Sequence, residues 1–213
     1  MNNRVNEFSF LEEILHSITH GIGLILSIAA LSILVAFASI KGSAIGVVSV
    51  AIYGATLIIL YGSSTLYHAI THTQVKRLFQ KFDHSAIYFL IAGTYTPLLL
   101  VAIGGVEGWT IFAIEWSIAI VGIVLKFLYP SRFEIFSLVA YVVMGWLIVV
   151  ILDTFKSSID PIGFWLIVAG GVSYTGGIIF YIKDHINYFH TIWHLFVMLG
   201  SALHFFAVLL YVV

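Results

Sequence analysis

Seven apolar runs divide the chain, at about residues 17–40, 44–68, 84–105, 108–128, 133–153, 161–182 and 189–212. Each is long enough for a bilayer-spanning helix, which needs roughly 20 apolar residues. The breaks between them are short and polar: IKGSA, HTQVKRLFQKFDH, IGGVEGW, YPSRFE, DTFKSSIDP and KDHINYFH. Pro130 ends the fourth run, and Pro97 removes a backbone hydrogen bond inside the third, where a kink is expected. No break has room for a soluble domain, no internal repeat is visible, and an odd number of spans argues against two equal halves. The pattern predicts an all-α integral membrane protein in which residues 1–213 form one seven-transmembrane helix bundle. Residues 1–16 are its short N-terminal segment.

Composition strengthens this reading. Hydrophobic residues make up 61% of the chain and charged residues 9%, against about a quarter charged in soluble domains. The first run is long enough to remain as an anchor, and the mixed polar residues before it do not resemble a cleavable signal. The glycines, Gly170, Gly171, Gly176 and Gly177 among them, suit close helix packing better than phosphate binding.

Charge then gives an orientation. Arg4, Lys76, Arg77, Lys81, Lys126, Arg132 and Lys183 fall on one side of the seven spans, and only Lys41 and Lys156 on the other. The positive-inside rule puts the N-terminus in the cytoplasm and the C-terminus outside. A net charge of −1 gives no electrostatic case for binding nucleic acid. With no cysteine in the chain, disulfides, thiolate metal sites and cysteine nucleophiles are excluded.

On that topology eight of the nine histidines lie at or near cytoplasmic helix ends: His16, His20, His68, His72, His84, His185, His190 and His194. The ninth, His204, sits about 21 Å further along the last helix than His190, by helical rise. Three stretches share the spacing H-x-x-x-H: HSITH at 16–20, HAITH at 68–72 and HTIWH at 190–194. Residues four apart on a helix share a face and can reach one ion. The same spacing also suits polar groups that merely snorkel at a helix end, and spacing alone does not choose. Two carboxylates, Glu13 and Asp83, belong to the same layer, and ionisable residues at membrane depth face a partner or a wet cavity. Convergence of His68, Asp83, His190 and His194 requires spans two, three and seven to be neighbours. Glu115 and His204 lie inside spans, and Asp153 ends one; for Glu115 a snorkelling or hydrogen-bonded carboxyl is the expected state.

Three ordered stretches carry a family resemblance: EEILHSITHG with Glu13, Thr19 and His20; SSTLYH followed by KFDHS with Ser64, His68 and Asp83; and HTIWH with His190 and His194. GTYTP at 93–97 adds to it. The chain resembles, from about residue 10 to its end, the hemolysin III family, the bacterial branch of the progestin and adipoQ receptors, related to the alkaline ceramidases. One departure is His16, which stands where members often carry Asn. The resemblance implies a zinc ion near the cytoplasmic face, held by His68, His190 and His194. It implies that Asp83 binds or orients the metal's water, that Ser64 sits one turn from His68, and that Glu13 and His20 support the ligands.

Three histidines and a water make an open, catalytic type of zinc site. The zincin pattern H-E-x-x-H is absent, since Thr191 follows His190, so Asp83 is the first candidate for general base and Ser64 for a hydrogen-bond donor. The kinship with ceramidases implies a lipid amide as substrate, by analogy of fold, and a role in lipid homeostasis at the plasma membrane. Membrane lipid is the expected partner, with a homo-oligomer left open. Two other readings stand beside this one. The family name implies a membrane-lysing pore, and a lipid sensor or receptor would use the zinc only to tie helices together.

Overall fold

The computed structural model describes residues 8–129 and 132–213. Arg4 and Pro130 lie outside the described residues. Eight α-helices follow in order: α1 Phe10–Ile40, α2 Ala44–Ala69, α3 Thr73–Pro97, α4 Gly105–Leu128, α5 Glu134–Gly145, α6 Leu152–Ser158, α7 Pro161–Ile182 and α8 Phe189–Tyr211. A π-helical turn, Leu98–Ile103, extends α3, and a 3-10 segment, Leu147–Ile151, joins α5 to α6. These make seven spans, each long and apolar enough to cross a membrane. The protein is a seven-helix, multi-pass membrane bundle, and among the described residues there is no strand.

The apolar runs match the spans, but two helices begin earlier than their runs. α1 starts at Phe10 rather than near residue 17, and α3 at Thr73 rather than near residue 84. Apolarity marks what can sit in lipid, whereas a helix continues until its backbone donors find another partner. At the start of α1 that partner is Ser9, whose hydroxyl accepts from the Glu12 amide while the Glu12 carboxylate accepts from Ser9, a capping box. Asp83 therefore lies well inside α3 instead of opening it.

The third span does change geometry at Pro97. Without its N–H the α-helix ends there and six π-helical residues follow. The Leu99 carbonyl accepts from the Gly104 amide, and positive φ at Gly104 and Gly105 turns the chain into α4. The fifth span is broken at Trp146. There the Tyr95 hydroxyl from α3 donates to the Gly145 carbonyl at 3.0 Å and accepts from the Ile148 amide at 3.1 Å, satisfying two groups that the break would orphan.

The third span has 61% of its best apolar window buried, against 22–28% for the first, fourth, fifth and sixth spans, so it forms the centre of the bundle. α2 lies between α1 and α3, α4 packs on α3, and α8 packs on both α7 and α1. Close approach is set by glycine. A Cβ on Gly54 would meet the Leu31 backbone Cα at 2.9 Å, so α1 and α2 touch along their main chains. Span seven thus lies along span one, and reaches α2 through side chains, with Tyr61 donating to Ser201 at 2.8 Å.

Candidate metal centre

Four helices deliver polar side chains to one end of the bundle. α1 presents Glu13, His16, Thr19 and His20 at helical spacing on its buried side. α2 brings Ser64 and His68, one turn apart and both buried. α3 contributes Asp83 and His84, and α8 carries His190 and His194 on its first two turns. The position of α8 is fixed locally: Tyr188 adopts a left-handed conformation before its first turn and donates its amide to Glu12 Oε1 at 2.8 Å.

His68, His190 and His194 are all buried, and each offers a ligand atom within 4.8 Å of the others. Two of these imidazoles are oriented by neighbours. His68 Nδ1 donates to Glu13 Oε2 at 2.7 Å, which leaves its Nε2 buried with no hydrogen-bond partner. The Thr19 hydroxyl spends its proton on the Leu15 and His16 carbonyls, so at 3.1 Å it accepts from His194 Nδ1. In both rings Nε2 keeps its lone pair for an ion, the arrangement in which metal-ligating histidines are usually held. Buried imidazoles that offer nitrogen lone pairs within 4.8 Å of one another fit a borderline-soft cation such as zinc.

Sequence reasoning missed Lys76, which looked like one charge of a polar break. It is buried, donates to Glu13 Oε1 at 2.9 Å and to the Tyr67 carbonyl at 2.9 Å, and so holds the carboxylate that holds His68. No motif could have found it, because the contact joins α3 to α1 across the bundle. Phe8 was also unforeseen. Its ring centre lies 4.7 Å from that of His16 and 4.8 Å from that of His190, covering the cluster at the N-terminal end of α1.

The three H-x-x-x-H stretches separate. HTIWH lies on one helix, with ring centres 4.8 Å apart. In HSITH both rings are buried, but His20 stacks on His194 at 3.5 Å and 11° instead of facing the gap. HAITH is no pair: α2 ends at Ala69, and His72 is the exposed residue that precedes α3. His185 is exposed as well.

Asp83 is not one of the mutually close donors. It lines a cavity of about 130 Å³ whose wall also includes Ser64, His84, His190 and His194, and its carboxyl faces the Ser64 hydroxyl. The cavity continues past Tyr95 and Trp146 to His204, along a largely apolar lining. His204 donates through Nε2 to the Ile167 carbonyl at 3.0 Å. Glu115 differs from expectation. It does not snorkel, because it lies on the buried side of α4, and both carboxyl oxygens are enclosed with no hydrogen-bond partner among the described residues.

A family model described as Haemolysin-III related matches residues 8–205. The chain is 50% identical over 201 residues to Hemolysin-3 of Bacillus cereus, covering 94% of this chain and 92% of that one. It is 48% identical to the Hemolysin-3 homolog of Bacillus subtilis (strain 168), covering 97% of each. More distantly, it is 32% identical over 164 residues to the Monocyte to macrophage differentiation factor of Homo sapiens, with 74% of this chain and 67% of that one covered.

Proposed function

The chain belongs to the Haemolysin-III-related family, and from that membership and the histidine cluster we propose that it is a zinc-binding plasma-membrane protein that hydrolyses a lipid amide. The observation that carries the proposal is the set His68, His190 and His194, with donor atoms within 4.8 Å and outward nitrogens fixed by Glu13 and Thr19. These three residues would hold the metal. Zinc bound there supplies a Lewis acid for a carbonyl oxygen and for water.

The remaining chemistry belongs to the chain. Asp83 stands in the cavity beside the cluster, where it takes a proton from the water that attacks the amide carbon. The same carboxyl then returns that proton to the amide nitrogen as the C–N bond breaks, so water and amide become a carboxylic acid and an amine. Ser64 faces Asp83 and orients its carboxyl. The apolar wall toward Tyr95 and His204 suits one hydrocarbon chain. At about 130 Å³ the cavity is smaller than the roughly 300 Å³ of ordinary ligand pockets, so a chain enters as side chains give way.

Metal content of the purified protein, with and without His190→Ala, tests the ligands; equal zinc in both removes His190 from the set. Ceramide turnover, with phospholipid as the comparison, tests the reaction. Asp83→Ala should keep its zinc and lose about 100-fold or more in rate, and undiminished turnover would rule Asp83 out as the base.

A second reading, zinc as a tie between α2 and α8 in a lipid sensor, draws support from Phe8 covering the cluster. Zinc without turnover on any lipid would favour it. The name of the Bacillus relatives points to a third, a lytic pore. Against this, the polar groups gather at one end, while Glu115 and His204 are enclosed. Ion flux through reconstituted vesicles decides that question.

A further inference from the structure

His16 has no place in the three-histidine set, yet it sits against all of it. Its ring centre lies 4.7 Å from that of His68, 4.8 Å from that of His190 and 5.2 Å from that of His194. The separations among those three are 5.4, 5.3 and 4.8 Å. Six separations between 4.7 and 5.4 Å put the four rings near the corners of a tetrahedron. Four imidazoles sharing one tetrahedral ion, each through a nitrogen at about 2.0–2.1 Å, have ring centres about 5 Å apart. The spacing of the rings matches that of a four-imidazole site.

His16 also needs a partner. It is 0% exposed, and among the described residues neither of its ring nitrogens has a hydrogen-bond partner. Burying an imidazole this way forfeits the hydration of both nitrogens, unless something else takes the lone pair. One His16 nitrogen stands within 4.8 Å of a His68 nitrogen and a Glu13 oxygen, and coordination of the shared ion requires its ring to turn toward the other two histidines. His20, one turn along α1, cannot take this part. Its ring lies flat on His194 at 3.5 Å and 11°, off the line of a lone pair directed at a shared ion.

We propose that His16 is a fourth metal ligand, so that the resting site holds its ion through four imidazole nitrogens. The proposal rests on the zinc reading above and sharpens it. A site closed by four protein ligands leaves no position for water or a carbonyl, and Phe8, edge-on to His16 at 4.7 Å and 86°, seals the same side. Substrate gains the ion only when His16 withdraws. Withdrawal is a motion of the start of α1, which the Ser9–Glu12 capping box and the Tyr188 amide hold in place. His16 is in this sense the gate of the site as well as part of it.

Zinc-edge X-ray absorption of the purified full-length protein counts imidazole ligands directly. The expected result is four imidazoles in the wild type, and three with one oxygen in His16→Asn, whose zinc affinity falls about tenfold or more in chelator competition. In His16→Ala, added imidazole should restore the fourth nitrogen, and His72→Asn, at an exposed position away from the cluster, should keep all four. Three imidazoles and an oxygen in the wild type, or the same count in wild type and His16→Asn, overturns the proposal alone. Wild-type protein that takes up no zinc overturns both it and the reading it rests on.

Discussion

A neutral imidazole has one N–H and one lone pair, and what holds the N–H decides where the lone pair points. In His68 that partner is the Glu13 carboxylate, and in His194 it is the Thr19 hydroxyl. Glu13→Gln weakens the first contact and removes the charge that Lys76 pairs with; Thr19→Val deletes the second without changing shape much. Each should lower zinc affinity about 10-fold to 100-fold, read by competition with a chelator of known affinity. His72→Ala and His185→Ala, both at exposed sites, should leave zinc content unchanged. Loss of zinc from either would mean that the cluster extends beyond the buried rings. Spacing alone did not separate the three histidine pairs. HAITH and HTIWH have the same spacing, and only the second lies within one helix.

At the scale of helices, each departure from regular geometry is met by a partner elsewhere. Pro97 ends α3, and a π-helical turn takes up the chain. The broken fifth span keeps its backbone groups satisfied through the Tyr95 hydroxyl. Tyr95→Phe should therefore destabilise the bundle by about 1–3 kcal/mol, the cost of leaving buried backbone groups unpaired. The α1–α2 contact rests on Gly54 meeting the Leu31 backbone. A methyl group there cannot be accommodated by a side-chain turn alone, because one of the atoms it meets is a main-chain carbon. Gly54→Ala should cost about 1–3 kcal/mol, measured as a lowered unfolding midpoint in detergent. Because α1 carries Glu13, His16 and Thr19, the same substitution should also weaken zinc binding. Proline was readable from the sequence as a break, but the tyrosine that repairs another break was not.

For the whole molecule, a metal held jointly by α2 and α8 would join parts of the chain that are far apart in sequence. Zinc should raise the thermal midpoint of the wild type, by about 2.7 kcal/mol of added stability at a hundredfold excess over its dissociation constant. A His68→Ala, His190→Ala double variant should show no rise; an equal rise would place the binding elsewhere. The orientation is open to test because the chain has no cysteine. Single cysteines at Arg77 and Lys183 should react with an impermeant thiol reagent only from the cytoplasmic side, and one at Lys156 only from outside.

The sequence by itself determined the number of spans, their order and their charge asymmetry. Those properties depend on the transfer of local segments between water and lipid, so each run carries its own signal. With the family resemblance it also named the histidines, the aspartate and the serine of the candidate site. Only the tertiary structure decided which of them meet. It placed α8 along α1, bringing His16, Thr19 and Glu13 to the same cluster, and it set Asp83 on the cavity wall. It left Glu115 enclosed with no hydrogen-bond partner among the described residues and put Lys76 behind Glu13. The physical reason is one of range. Hydropathy is a sum over neighbouring residues, whereas a ligand set is a coincidence of side chains from different helices, fixed by how closely their backbones pack.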